Sequence, residues 1–481
     1  MAYSVLKNHF VNKSCDCFLF SLSVVETRPP DGLSTGRRMK FVKNVRNILF
    51  RIVDVLRPKA FLLLSFVLCA FIMFQGCNKK SSTEREERTT IVFKHGKVAG
   101  DSDALRTLIR RFEEANPDIK VKEETLPSST DEQHQFYVIN LEGRSGEFDV
   151  FAIDVIWVQE FARAGWLRDL SLILPLENRD DFFRGPMEAA TYQGKVYAIP
   201  WYIDAGILYY RKDLLGKYGF SPPNTWYDLV QIASEITKKE PGLYGFIWQG
   251  KQYEGLVCDA LEYMHSNGGD ILKNGKVVID SPDNAHALGF MRDLIYKYHV
   301  TPALVTTMIE EPTRHIFGKG KALFMRNWPY AWNIFQADDS PVKGRVGVSI
   351  LPAFPGHQSS PTLGGWHLGI NSYSDHPEQA ERFIKFLTSY QSQKTLSRTI
   401  GYKPTRKTLY KDPDVTRAQP FTANLYGAFE HATPRPITPY YMMISQVIQP
   451  EFSAVISGIK EPEEALKSAR EQIEHILSVE D

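Results

Sequence analysis

The feature that most constrains this chain is a strand-and-helix alternation that begins near Thr90. Ile91-Val92-Phe93 reads as a short strand. From Asp103 to Glu114 the apolar residues Leu105, Leu108, Ile109 and Phe112 fall at helical spacing, and Asn116-Pro117 stops that helix. Ile119 and Val121 alternate with polar residues and open another strand. Phe148 to Ile153 is a buried strand, followed at once by a helix carrying Trp157, Val158 and Phe161. This rhythm predicts α/β architecture with largely parallel strands. Asp154 then falls at the carboxyl end of a strand, where open α/β sheets place their ligand crevice. The same position suits a helix N-cap, and one Asp could do both. Further on, Ile207 to Tyr210 reads as an apolar strand, and Thr225 as the cap of a helix starting at Trp226.

With 481 residues the chain is too long for one average domain. The body shows no internal repeat and no long linker, which fits two lobes joined by several short crossings. The net charge of +1 hides an asymmetry. Residues 1–76 hold 11 Lys+Arg and 4 Asp+Glu, which leaves the remainder at a net of −6. A mildly acidic body lacks the basic footprint that nucleic-acid binding needs.

Ala60 to Phe74 is a run of 15 uncharged residues, apolar but for Ser65, preceded by Arg51, Arg57 and Lys59. It is short of the roughly 20 residues that span a bilayer as a helix, and the basic flank marks a secretory signal. Phe74-Gln75-Gly76-Cys77 resembles a bacterial lipobox; Gly76 fits the pattern and Phe74 departs from it. The reading places a leader at 1–76, with Met39 as an alternative start. Lipidation is expected at Cys77, with a polar tether over 77–90. An ordinary signal peptide cut elsewhere and an uncleaved anchor are the alternatives. Of the five cysteines only Cys77 and Cys258 would outlast such a leader, so no disulfide framework can be drawn. Cys258 reads as a small buried hydrophobe.

A sugar offers hydroxyls at its rim and C–H bonds on its faces. Carboxylates and Arg meet the first with charge-assisted hydrogen bonds; Trp and Tyr meet the second with flat apolar surface. The body is rich in both. Asn327-Trp328-Pro329-Tyr330 and Gly364-Gly365-Trp366 set aromatics beside Pro or Gly, which predicts Trp residues displayed from loops. Arg435, flanked by Pro434 and Pro436, is expected on a rigid extended segment. There is no H-E-x-x-H, G-x-S-x-G or P-loop pattern and no cysteine–histidine metal spacing. No catalytic residue, metal or cofactor is therefore assigned.

Six stretches carry a family resemblance. They are Tyr202 to Tyr218, Gly245 to Gly269, Arg326 to Trp332, Ala337 to Gly347, Thr362 to His367 and Pro434 to Tyr441. Over about Ile91 to Leu477 the chain resembles the trehalose/maltose-binding proteins of ABC importers, in the maltose-binding-protein class. The resemblance implies a two-lobe periplasmic-binding-protein fold of type II, crossed three times by the chain, with a hinge and a central ligand cleft. The lobes are expected at 91–200 plus 366–410 and at 201–365 plus 411–481. Matching the family's motifs implies a sugar-binding set of Asp101, Asp154, Tyr202, Asp204, Glu254, Trp328, Tyr330, Gly365, Trp366 and Arg435. Asp103 rivals Asp101. Asp101 and Asp154 would act from the first lobe, Asp204, Glu254, Trp328 and Arg435 from the second. The Ser128 to Gln135 segment departs from the family pattern. The implied role is an exported, membrane-anchored monomer that binds trehalose or maltose and hands it to a membrane permease. A glycoside hydrolase and a sugar sensor on the same scaffold are the alternatives.

Overall fold

The apolar runs of the sequence become the strands of two mixed sheets. The computed structural model describes residues 88–98 and 103–480, all within one compact unit, Glu86–Asp481. In chain order the strands of the larger sheets are β1 (Thr89–Gly96), β2 (Ile119–Leu126), β3 (Val150–Asp154), β4 (Ile199–Ala205), β5 (Ile207–Arg211), β6 (Tyr244–Ile247), β7 (Ala322–Asn327), β8 (Val346–Ser349), β9 (Leu363–Ile370) and β10 (Lys403–Pro404). One sheet has the order β10-β4-β9-β3-β1-β2 and the other β8-β5-β7-β6. Every residue of β3 is buried, as expected of a strand covered on both faces.

Strand direction departs from the sequence expectation. Among the named strands, parallel pairing is confined to β1 with β2 and β3, and β6 with β7. β9 runs antiparallel to β3 and β4, β10 to β4, and β5 to both β7 and β8. The cause is connectivity. β9 enters the first sheet from the second one, not from a crossover helix of its own, so no βαβ unit dictates its direction.

The helices follow their apolar periods. α1 (Asp103–Ala115) buries Leu105, Leu108, Ile109 and Phe112, a single stripe at i, i+3, i+4 and i+7. α2 (Thr130–Glu142) is capped by Ser129, whose hydroxyl accepts from the Glu132 amide. The short α3 (Val158–Arg163) follows β3. α4 (Trp226–Thr237) opens on a capping box between Thr225 and Asp228. α5 (Glu254–His265) is buried along nearly its whole length. α6 (Pro282–Tyr296), α7 (Glu310–Gly318), α8 (Pro377–Leu387) and α9 (Tyr441–Ile456) follow. Phe383 of α8 packs edge-on against Phe112 with ring centroids 5.0 Å apart, and α9 packs on α5 and α6. Burying one such aromatic contributes about 1.5–3 kcal/mol. Cys258 lies buried in α5 as a free thiol.

The chain passes between the sheets at Gly206, between β8 and β9, and again after β10 on its way to α9. The first crossing is tight. A Cβ at Gly206 would lie 1.9 Å from Glu262 Oε1, so only glycine lets the backbone ride over the buried pair that Glu262 forms with Arg326.

Candidate functional site

Where the two sheets face each other, three charged side chains meet. Asp154 ends β3, so its carboxylate projects from the carboxyl end of a central strand. Its Oδ1 accepts from the Ile156 amide at 3.2 Å and from Arg435 Nη2 at 3.1 Å. Arg435 Nη1 donates to Glu254 Oε1 at 2.8 Å. Glu254 is the first residue of α5, where the helix dipole favours a carboxylate. Tyr441 donates to the same oxygen at 2.7 Å, and the Ser445 hydroxyl to the other. Asp154, Glu254 and Arg435 are all buried. A charge removed from water persists only if paired and hydrogen-bonded, and this arrangement supplies both. The guanidinium thus ties a residue of the six-stranded sheet to a residue of α5 in the other lobe. Burial pushes the Asp154 carboxyl up while Arg435 opposes it, and the net direction is upward.

Beside this pairing runs a row of side chains across the sheet. Trp366 on β9 is in register with Asp154 on β3 and with Tyr202 on β4. Opposed residues share a face, so carboxylate, indole and phenol line one surface. Tyr202 stacks on Tyr402 at 4.0 Å, and Trp366 meets buried Trp157 edge-on at 5.5 Å. Asp204, two residues beyond Tyr202, lies on the same face, opposite Gly364. It keeps partial exposure, yet burial raises its carboxyl to about 7, against the opposing charge of Lys403. Lys403 is fully buried, has no hydrogen-bond partner at Nζ, and sits 4.5 Å over the Phe421 ring. Burial lowers its amine to about 7.

Trp366 is held differently from the sequence expectation. It lies inside β9, not on a loop. The two glycines before it are what a strand needs here. Gly365 has φ +125, and a Cβ there would come 2.5 Å from the Tyr202 carbonyl. The register also slips between Trp366 and His367. Gly365 therefore serves close strand approach and a bulge. Trp328 does sit past a strand end, just after β7. Its indole nitrogen donates to Glu310 Oε1 at 3.3 Å, its ring covers the Arg326 guanidinium at 4.0 Å, and it faces Gly364. Tyr330 donates to Glu311 Oε1 at 2.8 Å, so α7 steadies both aromatics.

The structure thus groups Asp154, Glu254 and Arg435, and sets Tyr202, Asp204 and Trp366 on the adjoining sheet face. Trp328 stands across Gly364 from Asp204, while the Tyr330 hydroxyl is committed to Glu311. Asp101 and Cys77 lie outside the described residues. β4, with Asp204, belongs to the six-stranded sheet and ends just before the Gly206 crossing. Sequence reasoning missed the partners Tyr441 and Ser445 and the buried amine of Lys403. The spacing Tyr441–Ser445, one helical turn on the buried face of α9, was the available signal for the first two.

A two-lobe α/β fold with charged and aromatic side chains between its sheets is that of a type II binding protein. The model of the family described as bacterial extracellular solute-binding protein matches residues 98–394, and the chain belongs to that family. A "Probable ABC transporter-binding protein" of Deinococcus radiodurans is 40% identical over 366 residues, covering 74% of this chain and 86% of the relative. Among solved structures, "Maltose bound T. maritima MalE3" is 45% identical with a TM-score of 0.78, covering 80% of this chain and 99% of that one. An ABC transporter solute-binding protein of Thermotoga lettingae bound with alpha-D-tagatose is 28% identical with a TM-score of 0.74, covering 81% and 100%.

Proposed function

We propose that this chain is the sugar-binding component of an ABC importer and takes a disaccharide, maltose or trehalose, between its lobes. The observation that carries the reading is the buried Asp154–Arg435–Glu254 pairing between the two sheets, flanked by Trp366 and Tyr202. Carboxylates and a guanidinium suit hydroxyls, and the indole and phenol suit pyranose faces. The likeness to a maltose-bound protein supports the disaccharide; the tagatose-bound relative shows that other sugars occupy this fold. Asp154, Tyr202, Asp204, Glu254, Trp328, Gly365, Trp366 and Arg435 form the proposed site, with Tyr330 and Asp101 at its margin. The lobes divide at the three crossings. Sugar touches both lobes only when they close, so its binding favours the closed arrangement. The loaded monomer then docks on a permease, and Cys77, if acylated, holds it at the membrane.

Titrating the protein with maltose, trehalose and sucrose while following tryptophan fluorescence tests the reading. Saturable binding of at least one disaccharide with no release of monosaccharide on prolonged incubation is the expected result. Turnover would instead favour a hydrolase, and absence of binding to all three would reject the disaccharide.

A further inference from the structure

We infer that Tyr441, Ser445 and Gln449, a row along α9, are positioning residues for sugar binding: they fix Glu254 and, through it, the guanidinium of Arg435. The inference rests on the sugar-binding reading above and deepens it, since no residue of α9 belongs to the proposed site. The three stand at i, i+4 and i+8, on one face of the helix, and all are buried. Tyr441 donates to Glu254 Oε1 at 2.7 Å, the atom that also receives Arg435 Nη1 at 2.8 Å. The Ser445 hydroxyl donates to Oε2. Gln449 Nε2 in turn donates to Ser445 Oγ at 2.9 Å.

The direction of each bond is dictated by its neighbour. A carboxylate paired with a guanidinium only accepts, so both hydroxyls give it their protons. A hydroxyl has one proton to give; with the Gln449 amide donating to Ser445, that proton is left for Glu254. A serine inside a helix commonly bonds back to the carbonyl four residues earlier. Ser445 instead reaches a carboxylate 191 residues away in the chain. With both oxygens held from α9, Glu254 keeps one orientation, and Arg435 follows it. Arg435 Nη2 meets Asp154 Oδ1 at 3.1 Å and the Leu363 carbonyl at 3.4 Å, so the planar group is gripped at both terminal nitrogens. Arg435 also lines a crevice with Ile156, Gln159 and Thr438, and its Nε is still without a partner. A sugar hydroxyl that meets this guanidinium therefore finds it at an angle set from α9. Groups locked before a ligand arrives lose less freedom when it binds.

Calorimetric titration with the disaccharide that wild type binds best should show about three- to tenfold weaker binding for Tyr441→Phe and for Ser445→Ala, each of which removes a single oxygen. Gln449→Leu should weaken binding by a smaller factor, because it acts one step further from Glu254. The decisive comparison is made in a Glu254→Gln background. Ser445→Ala should there add less than a twofold loss, because the carboxylate oxygen it serves is gone. A full additive loss in that background would overturn the inference, by showing that the row supports packing and does not act through Glu254. Unchanged affinity in both Tyr441→Phe and Ser445→Ala would overturn it too, while leaving the sugar-binding reading intact. Wild type binding none of maltose, trehalose and sucrose would sink the disaccharide reading itself, and the inference with it.

Discussion

Arg435 carries more of this molecule than any other single residue in the cleft. Its guanidinium neutralises Glu254 and Asp154 across the lobes, and Tyr441 and Ser445 hold Glu254 in place from α9. Replacing it with Ala leaves two carboxylates facing each other with no cation between them. Breaking a buried pair from one side costs about 3–5 kcal/mol. Arg435→Ala should therefore lower the free energy of urea unfolding by that order and also weaken sugar binding. A loss of binding with no change in unfolding would show that the pairing does not support the fold. Some of this was legible beforehand. Asp154 follows an apolar strand, and Arg435 sits between two prolines, so both stood out from local pattern. Tyr441 and Ser445 did not, because the carboxylate they hold lies 187 and 191 residues earlier in the chain, and no local pattern encodes that meeting.

Among the elements, β9 shows how a locally plausible reading fails. Gly364-Gly365-Trp366 looks like a loop because glycine is unfavourable in strands. The strand forms because β3 and β4 pair with it on both sides, and Gly365 is what lets β4 come close. The same strand buries His367, whose Nε2 hydrogen-bonds the Pro186 carbonyl at 2.8 Å while Nδ1 has no partner. Burial lowers this imidazole to about 4 from its ordinary 6.5. A depressed base is held neutral in the folded chain, and the unfolded chain binds the extra proton between those values. Stability is therefore fully present above pH 6.5 and falls as the pH drops toward 4, by about 3 kcal/mol from this group. Guanidinium unfolding at pH 7.5, 5.5 and 4.5 should show a shallower pH dependence for His367→Gln than for wild type. Equal slopes would remove His367 from the account.

For the whole molecule, the β-strand direction was the part least visible in the sequence. The alternation of strands and helices gave the α/β class, but β4, β5 and β9 take their directions from the crossings. Those crossings also define how the lobes can move. Gly206 rides on the buried Arg326–Glu262 pair, so the first pivot has a stiff floor. Closure is expected as rotation about the crossings rather than deformation of either sheet. Small-angle scattering should give a smaller radius of gyration on saturation with the bound disaccharide. An unchanged radius would argue for a cleft that fills without moving.

The edge contact between Trp157 and Trp366 has an optical consequence. Two indoles 5.5 Å apart at an interplanar angle of 87° are close enough to exchange excitation, and a paired circular-dichroism band is expected in the far ultraviolet, where indole absorbs most strongly. One ring is locked in the core and the other faces the cleft, so any molecule that settles on Trp366 changes the coupling. The protein carries its own chromophoric gauge of occupancy, readable without a label.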